Sequence, residues 1–192
     1  MDQKELVGYA HHPFYERNRV QTFVATRDGE VCGRIAAVAN LDHVEIHKEQ
    51  RGFFGFFECV DDQQVANGLF DAARGWLAEQ GLTAIRGPMS PGINYVVGTL
   101  VEGFDSPPTF LMAYNPDYYA GLIEGYGFQK TQDLYAFWAN REMLPASSAK
   151  HGPIAEQIVE RYGVTLRVLD RRRFREDVET FLDVYNRSMQ RH

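Results

Sequence analysis

Gly52–Val60 reads GFFGFFECV, a run that is apolar on both faces. A half-exposed strand alternates apolar with polar residues, so an unbroken apolar run belongs to a central strand covered on each side. On its N-terminal side, residues 21–27 (QTFVATR) and 30–40 (EVCGRIAAVAN) are β-rich and separated by Asp28-Gly29, a pair suited to the positive backbone angles of a tight hairpin. On its C-terminal side, Asp61-Asp62 supplies a helix start. Val65, Leu69, Ala72, Ala73, Trp76 and Leu77 then recur at helical spacing until Gly81 stops the run. Hairpin, central strand and long helix set the class as α+β, layered α/β/α: a mixed, mostly antiparallel sheet flanked by helices.

The remaining elements are read outward from this core. Asp42–Gln50 is a polar stretch between hairpin and central strand. Thr83–Arg86 reads as a short strand, Met89–Pro108 as a long loop broken by one apolar piece, and Thr109–Tyr114 as a further strand. Pro116 opens a short helix through Tyr126 that stops at Gly127-Phe128, and Thr131–Ala139 follows as a strand. The polar sequence EMLPASSAKHG (142–152) marks a linker over 141–152, which divides a main domain, 1–140, from an extension, 153–192. That extension reads helix–strand–helix: Ile154, Ile158 and Tyr162 ending at Gly163, a strand at Thr165–Leu169, and an amphipathic stripe of Phe174, Val178, Phe181, Leu182, Tyr185 and Met189.

At 192 residues with 44% hydrophobic and 13% aromatic content, the chain can fill a core. No run approaches the eighteen or so apolar residues of a membrane span, and Met1–Val7 is charged, so a cytoplasmic protein with no membrane partner is expected. Cys32 and Cys59 lie in apolar runs with no CxxC spacing, which reads as reduced core thiols. Residues 1–140 carry 10 Lys+Arg against 18 Asp+Glu. An acidic body does not attract nucleic acid. The cluster Arg171, Arg172, Arg173 and Arg175 is interleaved with Asp170, Glu176 and Asp177 and reads as a solvated helix start. His11-His12, His43 and His47 sit in polar segments as solvated side chains, and no metal is expected.

The closing run NPDYYAGLIEGYGFQKTQDLYAF (Asn115–Phe137) resembles the last helix and strand of the GNAT superfamily of N-acetyltransferases, and the resemblance covers residues 20–140. More narrowly, HPFYE, GRIAAVAN, GFFGFFEC, RGPMSP, LVEGFDSPP and AYNPDYY together resemble an uncharacterised bacterial family of two-lobed GNAT-like proteins. Thr165–Met189 then looks like the opening strand and helix of a second lobe. Its apolar stripe calls for a covering surface, in the same molecule or in a homodimer formed through this segment.

The GNAT resemblance implies acyl transfer from acetyl-CoA or another acyl-CoA to an amine on a small molecule or peptide. It places the pyrophosphate cradle, of pattern [RQ]-x-x-G-x-[GA], at the start of the long helix, where free N–H groups meet phosphate. Aligned on Leu69, the cradle is formed by Gln64, Val65 and Ala66, with Asp61 at the Arg/Gln position and Gln64 at the first glycine; only Ala66 fits. Asp61 and Asp62 put negative charge at an anion's entrance, and either can cap the helix. Glu58, on a strand face with Phe54 and Phe56, is the candidate base. The superfamily's acid tyrosine falls at Ile123 here, so Tyr118, Tyr119 or Tyr126 must replace it, and Tyr119 is carried forward as the candidate acid. Asn115 is a further cofactor candidate, and Asn94, Tyr95 and Asp105, in a loop of glycines and prolines that also holds Glu102, are candidates for the substrate. The function expected is N-acyl transfer; the alternative is a catalytically silent GNAT-like module for structure, oligomerisation or ligand binding.

Overall fold

Asp28 and Gly29 take φ of 53° and 87°, the left-handed angles of a two-residue hairpin turn. The ribbon they close, β1 (Arg19–Arg27) and β2 (Glu30–Ala39), is antiparallel. The computed structural model describes residues 12–165 and 167–189; the expectations resting on Met1–Val7, His11, Leu166 and the Met189 side chain fall outside them. A short helix, α1 (Leu41–His47), follows β2 where a polar stretch was expected. Its cause is local: Asn40 caps it by accepting the His43 N–H (2.9 Å), and Asn18, itself buried, accepts the Leu41 N–H (2.7 Å).

Strand β3 (Arg51–Cys59) lies antiparallel to β2, and β4 (Ala84–Arg86) lies parallel to β3, giving a four-stranded sheet of order β1-β2-β3-β4. The crossover between the parallel pair is α2 (Gln63–Glu79). Val65, Ala66, Leu69, Phe70, Ala73 and Leu77 recur every three or four residues along α2 and are buried with Ile35, Ala37, Phe54 and Phe57 of the sheet. Gly81, at φ 79°, ends this helix as its sequence predicts. A second helix, α3 (Tyr119–Gly125), buries Tyr119 and Leu122 in the same core. Phe70 is the hub: its ring stacks on Phe57 (centroids 4.9 Å) and meets Phe54, Tyr126 and Phe128 at 5.0–5.3 Å. The class is therefore the expected one, a mostly antiparallel sheet flanked by helices.

Two expected strands are not formed. Thr109–Tyr114 and Thr131–Ala139 belong to no strand, and Phe137 is 92% exposed. Alternating apolar residues make a strand only beside an edge that can pair, and β4 offers three residues. Two-residue strands β5 (Met89–Ser90) and β6 (Val96–Val97) instead pair with one another inside the expected loop.

The chain divides into Met1–Leu134 and Tyr135–His192. In the second unit, α4 (Leu144–Tyr162) runs through the stretch expected to be a linker. Pro145 stands in its first turn, where a missing N–H costs nothing, and Pro153 is accommodated inside the helix. Gly163, at φ 60°, terminates it. The strand expected at Thr165–Leu169 is absent among the described residues, and in α5 (Phe174–Met189) Phe174, Phe181, Leu182 and Tyr185 are exposed. No helix among the described residues is long and apolar enough to cross a membrane.

Asp177 organises the turn before α5. It is buried, accepts two hydrogen bonds from Arg167 (2.6 and 2.8 Å) and one from the Asp170 N–H (2.8 Å). The Arg167 bonds, then the backbone bond, hold its carboxyl down at about 2 from the ordinary 3.8. A carboxyl depressed on folding stabilises above its unfolded value, and that contribution is lost as pH falls through the folded one. Thermal melts of the wild type should therefore weaken between about pH 4 and pH 2, and Asp177→Asn should flatten that acid limb while lowering stability at neutral pH.

Candidate active site

The site begins with a misfit in the sheet. Arg34 pairs with Glu58 and Ala36 with Gly55, so one residue of β2 faces two of β3, Phe56 and Phe57. This is a bulge, and Phe56 has φ 50°, a conformation a bulky side chain adopts only when its surroundings hold it there. On the other edge, β4 pairs with β3 at Arg51, Gly52 and Phe53 and then departs. Beyond that point the edge of β3 is closed by side-chain hydroxyls. Ser90 Oγ accepts the Phe56 N–H (2.8 Å), Tyr119 Oη accepts the Cys59 N–H (3.0 Å), and Tyr118 Oη donates to the Cys59 carbonyl (2.9 Å).

Gly55 makes the Ser90 contact possible. A Cβ there would overlap the Met89 carbonyl and come within 2.8 Å of Ser90 Oγ. Because the obstruction is backbone, Gly55→Ala should cost on the order of 3 kcal/mol, measurable by urea unfolding.

Two candidate catalytic groups meet at this edge. Tyr119 Oη donates to Glu58 Oε2 at 2.7 Å while accepting the Cys59 N–H. Burial, and next the Glu58 hydrogen bond, push the Tyr119 hydroxyl well above its ordinary ionisation range. It therefore stays protonated at neutral pH. Glu58 is half exposed, and its other oxygen lies 3.6 Å from Arg34, its cross-strand partner. Burial, reinforced by the charges of Cys32, Asp62 and Asp61, raises the Cys59 thiol to about 11, which leaves no thiolate for nucleophilic attack. The pair can accept a proton at Glu58 and deliver one from Tyr119.

The start of α2 is already occupied. Asp62 Oδ1 accepts the Gln64 and Val65 N–H groups (2.8 and 3.4 Å), and Oδ2 pairs with Arg27 at 2.9 Å. Gln64 and Val65 line a shallow depression of about 260 Å³ with Ala25, Thr26, Arg27, Cys32 and Gly68. Ala66 points into the core and is fully buried. Of the three cradle residues, two reach a surface, and their amides serve the chain's own carboxylate.

The chain is similar to a bacterial ceramide synthase. That protein, from Caulobacter vibrioides (strain NA1000 / CB15N), is 36% identical over 190 residues, which cover 97% of this chain and 48% of the relative. Protein YghO of Escherichia coli (strain K12) is 38% identical over 170 residues, 88% of this chain and 43% of YghO. The chain spans about half the length of these relatives. No protein-family profile and no solved structure matches it. Since only a few terminal residues lie outside the match to the ceramide synthase, Glu58 and Tyr119 both fall within it.

The other candidates are dispersed. Asn115, expected at a cofactor, is spent on the backbone: Oδ1 accepts the Leu100 N–H (2.7 Å), and Nδ2 donates to the Leu100 and Pro116 carbonyls (3.3 and 2.8 Å). Tyr95 bonds His12 through its hydroxyl (3.0 Å) and packs near Ala36 and Phe56, on the sheet face opposite α2. Asn94 and Asp105 are exposed, and among the described residues Asp105 accepts a single 3.4 Å bond, from Ser106. Sequence reasoning passed over Ser90 and gave Tyr118 no structural task. A serine two residues past Gly87-Pro88 and a tyrosine beside the candidate acid carry no spacing signal; their roles follow from where β4 ends.

Proposed function

We propose that this chain carries the transfer site of an N-acyltransferase that joins a fatty acyl group from acyl-CoA to the amine of a long-chain amino alcohol. The reading is carried by the 2.7 Å bond between Tyr119 and Glu58 at the unladdered edge of β3. It is supported by the similarity to a protein named a ceramide synthase, since a ceramide is an amide of a fatty acid and a long-chain amino alcohol. The GNAT resemblance of residues 20–140 gives the same reaction class.

In this reading the amine nitrogen attacks the thioester carbonyl carbon, a C–N bond forms and the C–S bond breaks. Glu58 takes the proton the nitrogen sheds, Tyr119 gives its proton to the leaving thiolate, and Glu58 restores it through their hydrogen bond. Atoms and charge balance, and the pair ends as it began. The Tyr119 hydroxyl carries a proton to give at neutral pH, although burial makes it a weaker acid than an exposed tyrosine.

A second reading, a catalytically silent module, draws on Asp62. Its carboxylate holds the amides that a donor's phosphates would need. The chain should be incubated with acyl-CoAs from acetyl to palmitoyl and a long-chain amino alcohol such as sphinganine. Amide would be read by mass spectrometry and free thiol by colorimetry. Amide is expected with long acyl donors. Neither amide nor thiol release with any donor, from folded protein, overturns the transfer reading in favour of the silent one.

A further inference from the structure

Phe104, Tyr114, Asn115, Pro116 and Asp117 line an open cleft of about 380 Å³ that the transfer pair does not use. Asn115 builds it. By clamping Leu100 to the 115–116 backbone, its amide ties together the two ends of the excursion that carries Phe104 and Tyr114. The walls are therefore two aromatic rings and a proline, and the one charge in the lining is the Asp117 carboxylate. No hydrogen bond or ion pair occupies Asp117 among the described residues.

A solvent-facing carboxylate with no protein partner, set beside aromatic faces, is the chemistry that selects an alkylammonium. The charge pairs with the carboxylate, the ring faces attract the cation, and the first methylenes lie on apolar wall. An anion meets the wrong sign, and a neutral alcohol leaves the carboxylate without its counter-charge. The surroundings have the same sign: the Tyr118 hydroxyl is raised first by burial and then by nearby negative charge that includes Asp61, Glu58 and Asp117. The same excursion leaves Val101, Phe110 and Met112 exposed, apolar surface on which a longer chain can lie. Asp117 immediately precedes Tyr118 and Tyr119 in the chain.

We propose that the cleft between Phe104 and Asp117 seats the ammonium head of a primary alkylamine, the acceptor of the transfer reaction, which gives up its extra proton to solvent before the free amine attacks. The assignment of the amine as acceptor rests on the transfer reading above; the seat itself is tested by binding alone. Octylamine, octanol and octanoate would be titrated calorimetrically into the full chain and into Asp117→Asn, Phe104→Ala and Asp61→Asn. Octylamine should bind and octanol at least about tenfold more weakly, with octanoate silent. Asp117→Asn should weaken octylamine by about tenfold or more, Phe104→Ala should weaken it as well, and Asp61→Asn should change it by no more than about twofold. No octylamine binding, equal binding of octanol, or equal losses in Asp117→Asn and Asp61→Asn overturns the seat. Glu58→Gln separates the two ideas, since it should retain octylamine affinity while losing transfer. Amide formation with octylamine affinity untouched by Asp117→Asn overturns the seat alone. The expected binding pattern without amide formation overturns the transfer reading alone.

Discussion

Glu58→Gln is expected to lower amide formation by roughly two to four orders of magnitude, the usual worth of a positioned general base, while leaving the fold intact. The substitution keeps an oxygen that can accept the Tyr119 hydroxyl, now 2.7 Å away, and removes only the capacity to take a proton. The side chain is half exposed and its Arg34 contact is long, at 3.6 Å, so the change in stability should be within about 0.5 kcal/mol. Initial rates by mass spectrometry, paired with thermal melts, test both halves. A Gln variant that turns over at the wild-type rate removes Glu58 from the mechanism. Tyr119→Phe is a less clean partner experiment, because it also strips the Cys59 N–H of its acceptor.

Phe70→Ala should be the most damaging single substitution in the core, costing about 3–5 kcal/mol. Phe70 is fully buried and touches four other rings, one of which, Phe57, packs edge-on against Tyr119 at 5.1 Å. The cavity would therefore open between α2 and the strand that holds the site, and the loss should appear in denaturant midpoint and in transfer rate together. A cost below about 1 kcal/mol would mean that the ring cluster does not hold α2 to the sheet.

What the sequence revealed was what short-range chemistry decides. Asp28-Gly29 specifies a hairpin without help from distant residues, GFFGFFEC can only be buried on both faces, and the α2 stripe with Asp62 before it and Gly81 after it marks a helix at both ends. Other expectations depended on partners that sequence does not display. Thr131–Ala139 alternates like a strand, yet the short β4 supplies no edge for it. The linker reading weighed the polar residues of 142–152 above its alanines and first-turn proline, and the segment is helix. At the site, Glu58 and Tyr119 were singled out separately, 61 residues apart; that they touch depends on the bulge at Phe56 and on the early departure of β4, neither of which has a local signature. Asn115 was assigned to a cofactor because it is polar and lies in a loop, whereas its amide supports the backbone around it.

The hydroxyl closure of β3 has a further consequence for how this edge opens. A strand peels from a ladder cooperatively, because its hydrogen bonds share one rigid backbone. Ser90, Tyr118 and Tyr119 each hold a single backbone group through a side chain, so the loss of one such bond does not pull on the next. The Phe56 and Cys59 amides should then exchange with deuterium independently and faster than their neighbours in the β2–β3 ladder. An incoming carbonyl could take over one donor at a time without unzipping the sheet.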